Sequence, residues 1–290
     1  MPELPEVETV RRGLDELLAG RKVDSCKVYD SPRSFPNSQL AVDSFLFGST
    51  VKAVRRRAKV LIIDLDNDYS LVIHLKMTGQ LVFVGSKQRF GAGHPNDSLI
   101  AKLPDRSTRV SLGFADGSYL YFNDQRKFGW IKLLPTAEVP KMPFMQKVGP
   151  EPLEDSFTAE DFIARIRRRS GTTVKAAILD QTTLAGVGNI YADESLWSAK
   201  IHPSTRVGDI TDQKLAELLR EIKAVMTLSI EKGGSTDRNY VNAKGERGSY
   251  LQFANVFRRE GQACKVCNTT IDKIRVAGRG THICPTCQVI

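Results

Sequence analysis

The chain has 290 residues, 41% apolar and 26% charged, the profile of an ordinary globular protein long enough for two domains. No run approaches the roughly 20 apolar residues that a membrane-spanning helix needs, and the mixed, acidic start lacks the pattern of a signal peptide, so a cytosolic protein is expected. Lysine plus arginine exceed aspartate plus glutamate by 42 to 33, and the net charge of +9 favours a polyanionic partner, nucleic acid before membrane. A basic surface without specific meaning is the alternative.

The first eight residues, Met1-Pro2-Glu3-Leu4-Pro5-Glu6-Val7-Glu8, admit two readings. Pro5 suits a first helical turn and the acids suit the helix dipole, so the stretch can be a capped helix start. Removal of Met1 would also leave Pro2 as a free secondary amine beside carboxylates, able to attack a sugar carbon and form an iminium. An α-amino group has a reference pKa of about 8, so part of it is unprotonated near neutrality. Val7, Val10, Leu14, Leu17 and Leu18 recur at helical spacing, and Gly20 supplies a stop.

From Lys22 to Pro135 the pattern changes to short β-rich runs, clearest at residues 60–65, 71–75, 110–114 and 119–122. Turn signals at residues 66–68 and at Asp116-Gly117 separate them, predicting an antiparallel sandwich or barrel behind the helix. Residues 85–107 read as a polar, mobile or DNA-facing loop. Lys59 follows Arg55-Arg56-Arg57 and precedes a buried strand; it can point into a cleft or be a strand-edge lysine. In Asn123-Asp124-Gln125-Arg126-Lys127-Phe128-Gly129, an aromatic beside arginine suits insertion between bases, while burial is the commoner fate of Phe128. A proline-marked linker follows at about 135–155.

Beyond it the chain turns helical. Thr158 and Asp161 can cap one helix; others are expected from Thr173 to Asp180, from Asn189 to Ala199, and from Thr211 to the Gly233-Gly234 stop. Residues 233–250 read as a flexible loop. Ala185-Gly186-Val187-Gly188-Asn189 lies between two helices, where glycines and free N–H groups can receive a phosphate, although a tight turn also favours glycine. Cys264-x2-Cys267 and Cys284-x2-Cys287, sixteen residues apart, predict one structural zinc in a closed four-thiolate site. Gly278-Arg279-Gly280 between the pairs fits an arginine pushed outward toward phosphates. Cys26, far from them, is a small apolar residue.

Together, PELPEVE at the start, RRRAK at 55–59, HLKMTG at 74–79, NDQRKFG at 123–129, GPEPL at 149–153, AGVGNIYADE at 185–194 and the terminal cysteines resemble the formamidopyrimidine-DNA glycosylase family over nearly the whole chain. The resemblance implies an α+β protein: an N-terminal antiparallel β-sandwich with a leading helix, a helix–two-turn–helix domain and a C-terminal zinc-finger hairpin, with DNA in the cleft between. The implied divisions are a catalytic domain at 1–135, a linker at 136–155, a DNA-binding domain at 156–255 with a lesion-covering loop at 233–250, and a zinc finger at 256–290.

The implied activity is excision of oxidised purines, 8-oxoguanine and formamidopyrimidines, from double-stranded DNA in base excision repair, followed by β,δ-elimination. Pro2 would be the nucleophile, Glu3 the acid/base group and Glu6 its structural partner. Lys59 and Arg279 would assist at the reaction centre. Arg109, Asn189, Lys175 and His74 would contact DNA. Met77, Arg126 and Phe128 would fill the gap left by the flipped base, and Cys264, Cys267, Cys284 and Cys287 would bind Zn2+. The resemblance further implies a monomer in the bacterial cytosol, without membrane attachment.

Ser107, Gln125, Lys127 and Lys76 depart from residues common at those places in the family, putting in doubt the contact of a missing histidine at 107 and altering the wedge loop. Two rival readings stand beside this one. The sister endonuclease VIII branch removes oxidised pyrimidines, but Leu4 and the 233–250 loop favour the purine branch. A non-catalytic lesion binder would have no use for the PELPEVE cluster.

Overall fold

The computed structural model describes residues 2–94, 96–235 and 250–290. It divides into two compact units, Met1–Gln146 with Lys232–Ser249, and Lys147–Glu231 with Tyr250–Ile290.

The first unit opens on helix α1 (Leu4–Leu18), with Glu3 as N-cap and Pro5 in the first turn. Its apolar stripe, Val7, Val10, Leu14, Leu17 and Leu18, is buried as the spacing predicts. There follow β1 (Val23–Val28), α2 (Gln39–Phe45), β2 (Val51–Arg57), β3 (Val60–Leu65), β4 (Tyr69–His74), β5 (Gly79–Val84), β6 (Arg89–Gly93), β7 (Thr108–Phe114), β8 (Tyr119–Asp124), β9 (Trp130–Pro135) and α3 (Pro143–Lys147). The strands form a five-stranded sheet, β1-β7-β8-β5-β6, and a four-stranded sheet, β2-β3-β4-β9. Every pairing is antiparallel. One core joins α1 to both sheets through residues such as Leu14, Leu61, Ile73, Phe83, Phe90 and Phe122. Across the outer face of the four-stranded sheet, Val60, Ile62 and Val72 meet Val139, Met142, Phe144 and Met145.

Two expectations are corrected here. Residues 85–107 are not simply a loop: β6 and a 3-10 turn at Asp97–Leu99 lie within them. Phe90 and Ala92 face the core, whereas Gly91 lies under Leu99; the two strand glycines leave too few apolar positions for the alternation to be visible. Helix α2 also interrupts the β-rich stretch, carried by a Ser38 N-cap bond and a single buried residue, Val42.

The second unit contains α4 (Ala159–Ile166), α5 (Val174–Leu179), α6 (Asn189–Ser198), α7 (Asp212–Glu231), α8 (Tyr250–Phe253), β10 (Asp272–Val276) and β11 (Arg279–Ile283). Thr158 and Asp161 form the expected capping box, and Thr173 caps α5. Leu215, Leu218, Leu219, Ile222, Val225 and Met226 bury one face of α7. In the β10–β11 hairpin Val276 pairs with Arg279 across Ala277 (φ 50°) and Gly278 (φ 72°), the positive φ pair of a type I′ turn. Among the described residues no helix is long and apolar enough to cross a membrane.

Candidate functional site

The capping and reactive readings of the N-terminus meet in one geometry. Glu3 and the Glu6 side chain form a reciprocal capping box, with the Glu3 amide donating to Glu6 Oε2 at 2.8 Å. Glu6 Oε1 accepts from the Ser235 amide at 2.8 Å, so one carboxylate holds both the helix start and the segment at 232–235. Pro2 is buried, and Glu3 and Glu6 are 4% and 6% exposed. Residues 236–249, most of the expected lesion-covering loop, and Met1 lie outside the described residues.

Lys59 occupies the two-residue turn between β2 and β3, after Ala58 at φ 51°, and is buried, not an exposed strand-edge lysine. Its neighbour Val60 pairs with His74, so Lys59 and His74 lie at the same sheet end. Burial, reinforced by the charges of Lys76 and Lys59, lowers the His74 pKa to about 3. His74 Nδ1 accepts from the Lys76 amide at 3.0 Å, which leaves the proton on Nε2 of a neutral ring.

The wedge candidates follow at once. Met77 is 40% exposed and Phe128 54%, so the commoner fate of a buried Phe128 is not realised. The Arg126 guanidinium stacks over the Phe128 ring, 4.8 Å from its centroid. Arg109, expected to contact DNA, has internal partners. It is 4% exposed, its Nε donates to the Asp124 carbonyl at 2.7 Å, and its Nη1 to Asp30 at 2.5 Å. Its Nη2 donates to the Arg106 carbonyl at 3.1 Å, so each guanidinium nitrogen has an acceptor within the first unit.

Lys175, also expected to contact DNA, is held internally in the same way. Its ammonium is wholly buried, paired with Asp193 at 2.6 Å and donating to Thr281 Oγ1 at 2.6 Å. Asn189, the first residue of α6, donates through Nδ2 to the Gly280 carbonyl at 2.9 Å. Arg279, next to Gly280 on the hairpin, is exposed. Asp193 and Glu194 carry structural roles that the sequence reading missed. Asp193 Oδ2 accepts from the His282 amide at 2.9 Å, and Glu194 accepts from the amides of Asn255, Val256 and Phe257. Burial raises the Glu194 pKa despite those bonds. The only sequence signal for either was two adjacent acids inside an apolar helix.

The sulfur atoms of Cys264, Cys267, Cys284 and Cys287 all lie within 4.8 Å of one another. Separations of 3.9, 3.3 and 3.6 Å bracket the about 3.8 Å edge of a tetrahedron with Zn–S arms of about 2.3 Å. Amides of Val266 and Cys287 donate to sulfur, as thiolate ligands require. Bonds from Thr269 pull the Cys267 thiol down to about 6. Four protein thiols close the coordination shell, so such a zinc holds shape and offers no position for water. Cys26, by contrast, is pushed up to about 12 by burial, which leaves it an inert thiol.

Family models match the chain in three successive blocks: the formamidopyrimidine-DNA glycosylase N-terminal domain at residues 1–131, its H2TH domain at 148–240, and the zinc finger found in FPG and IleRS at 261–289. The chain belongs to the formamidopyrimidine-DNA glycosylase family. Formamidopyrimidine-DNA glycosylase of Herpetosiphon aurantiacus is 41% identical over 289 residues, covering 99% of this chain and all of the relative. That of Pediococcus pentosaceus is 40% identical with both chains covered in full. Among solved structures, a Lactococcus lactis FPG variant bound to DNA containing Fapy-dG matches with a TM-score of 0.87 at 34% identity, both chains covered completely. The Lactococcus lactis Fpg complex with abasic-site DNA gives the same score and identity over 99% of this chain and 100% of that one. Membership makes the chain a base-excision-repair DNA glycosylase with abasic-site lyase activity, and one structural zinc is the cofactor its finger is arranged to hold.

Proposed function

We propose that the chain acts as a monomer in the bacterial cytosol, excising 8-oxoguanine and formamidopyrimidines from duplex DNA through an iminium on Pro2. The observation that carries this reading is the buried Pro2 directly before the Glu3–Glu6 capping box, in the unit that also buries Lys59. A nucleophile works best when held still, and the helix cap supplies that restraint.

With Met1 removed, the Pro2 nitrogen attacks C1′ of the damaged nucleoside as the C1′–base bond breaks; the electron pair leaves with the base, which takes up the proton that the amine loses. Glu3 gives a proton to the sugar ring oxygen as the ring opens to the iminium. Loss of the acidified C2′ proton then expels the 3′ phosphate, and a second elimination expels the 5′ phosphate. Lys59 assists base release. Asn189 and Arg279 grip phosphates, and Met77, Arg126 and Phe128 occupy the gap in the stack. His74 is a neutral Nε2–H donor to a phosphate. Arg109 and Lys175 have no place in this assignment. The stretch 233–250 covers the everted purine.

Borohydride reduction of the protein with duplex containing 8-oxoguanine opposite cytosine tests the chemistry. A covalent adduct is expected, lost in Glu3→Gln and reduced in Pro2→Gly, which puts a primary amine in place of the secondary one. Absence of adduct when mass spectrometry shows Met1 removed and DNA binding is confirmed would leave a non-catalytic binder.

A further inference from the structure

We propose that Asp124, acting with Thr78, is the positioning residue that locks both arms of the wedge into one conformation. The inference rests on the wedge assignment made above for Met77, Arg126 and Phe128. Asp124 ends β8 with its side chain wholly buried, yet four donors converge on its carboxylate. Oδ2 accepts from the amides of Phe128 and Gly129 at 2.8 and 2.6 Å. Oδ1 accepts from the Arg126 amide at 3.1 Å and from the Thr78 hydroxyl. Thr78 Oγ1 in turn accepts from the Arg126 amide at 3.1 Å. One carboxylate therefore fixes the backbone on both sides of Lys127 in one loop and the residue after Met77 in the other.

Both loops need such a restraint. Lys76 (φ 52°) and Lys127 (φ 56°) sit in the left-handed region that non-glycine residues avoid, one in each wedge arm. The surroundings also exclude alternatives: a Cβ at Gly129 would lie 2.6 Å from Phe122 and 3.1 Å from Asp124 Oδ2. From the far side, Arg109 links the Asp124 carbonyl to Asp30, whose other oxygen holds the Lys127 ammonium at 2.8 Å. This assigns Arg109 a purpose that DNA contact did not. Anchored in this way, the exposed Met77, Arg126 and Phe128 stand ready without ordering the loops at the moment of insertion.

The test compares two reactions of the full-length zinc-loaded protein: single-turnover excision of 8-oxoguanine opposite cytosine, and cleavage of a preformed abasic site in the same duplex. Extrusion of a stacked base precedes only the first. Asp124→Asn and the isosteric Thr78→Val should slow excision by ~10- to 100-fold, the range that a displacement of about 1 Å costs, and abasic cleavage by far less. Thr78→Ser, which retains the hydroxyl, should restore excision. Should Thr78→Val excise like the parent while Met77→Ala and Phe128→Ala are impaired, the lock falls and the wedge stands. Unimpaired Met77→Ala and Phe128→Ala proteins would remove the wedge reading itself. Equal loss in both reactions, or no rescue by serine, would make Asp124 and Thr78 merely structural.

Discussion

Lys175 Nζ lies 2.6 Å from Asp193 Oδ1 with neither side chain exposed, and the same ammonium donates to Thr281 on β11. Asp193 completes the link by accepting from the His282 amide and ring. A basic residue expected to meet phosphate is thus spent on fastening the hairpin that carries Arg279. Breaking a buried pair by removing one partner costs about 3–5 kcal/mol, because the other charge stays buried. Lys175→Met should fall near the lower end, since His282 still donates to Asp193. Chemical denaturation measures this. Salt titration of DNA binding should leave the slope of log affinity against log salt unchanged in Lys175→Met, whereas Arg279→Ala should reduce it by about 0.9. A reduced slope in Lys175→Met would return the lysine to the DNA.

His74 makes stability depend on pH with a definite sign. Its pKa is about 3 in the folded protein against 6.5 for the free side chain. Below pH 6.5 the unfolded chain gains a proton that the folded one refuses. The stabilisation is therefore complete above the unfolded value and is lost as pH falls toward the folded one. At pH 5 the loss from this group is about 2 kcal/mol. His74→Asn, which retains an acceptor for the Lys76 amide, should flatten the acid limb of the stability profile between those values. A profile that does not change would show that the acid limb arises elsewhere.

Legibility tracked how local the determining physics was. The α1 stripe, the Thr158 capping box and the paired cysteines could be read because each depends on neighbours a few residues away. Strand β6 and helix α2 could not, since two of the five residues of the one are glycine and the other buries only Val42. The internal partners of Arg109 and Lys175 were hidden for a different reason: a basic side chain in a basic chain reads as a phosphate ligand until its partners are known. Those partners, Asp30 and Asp193, lie 79 and 18 residues away, and Thr281 lies 106 away. Asp124 lies within the 123–129 motif, but its four donors come from two loops that only the sheet brings together.

Removal of zinc should unfold the finger and leave the N-terminal sandwich intact. Trp197 packs against the cysteine cluster, whereas Trp130 lies on β9 and packs with Val60, Ile62, Val72 and Val139. In a Trp130→Phe background, chelation or Cys264→Ser should shift the Trp197 emission and weaken DNA binding. Because each ligand must lose its proton, zinc affinity should fall as pH is lowered, with protons released on binding. Cys267, whose pKa is about 6, is the thiol that most readily offers a thiolate at neutral pH. Unchanged emission on metal loss would mean that the hairpin holds its fold without zinc.

Glu6 should govern how quickly the Pro2 adduct forms while leaving the finger untouched. Its two oxygens accept from the Glu3 and Ser235 amides, each at 2.8 Å. Glu6→Gln keeps the volume but turns an NH2 group toward one of those donors, which loosens either the helix cap or the 232–235 segment. Gly234→Ala attacks the same contact from the other side. Gly234 has φ 92°, and a Cβ there would lie 3.3 Å from Glu6 Cγ. Both variants should slow borohydride trapping by ~10- to 100-fold through misplacement of the amine. Zinc content and the salt slope should match the parent, separating this effect from damage to the hairpin. A trapping rate equal to the parent in both variants would reduce Glu6 to a helix cap with no hold on the nucleophile.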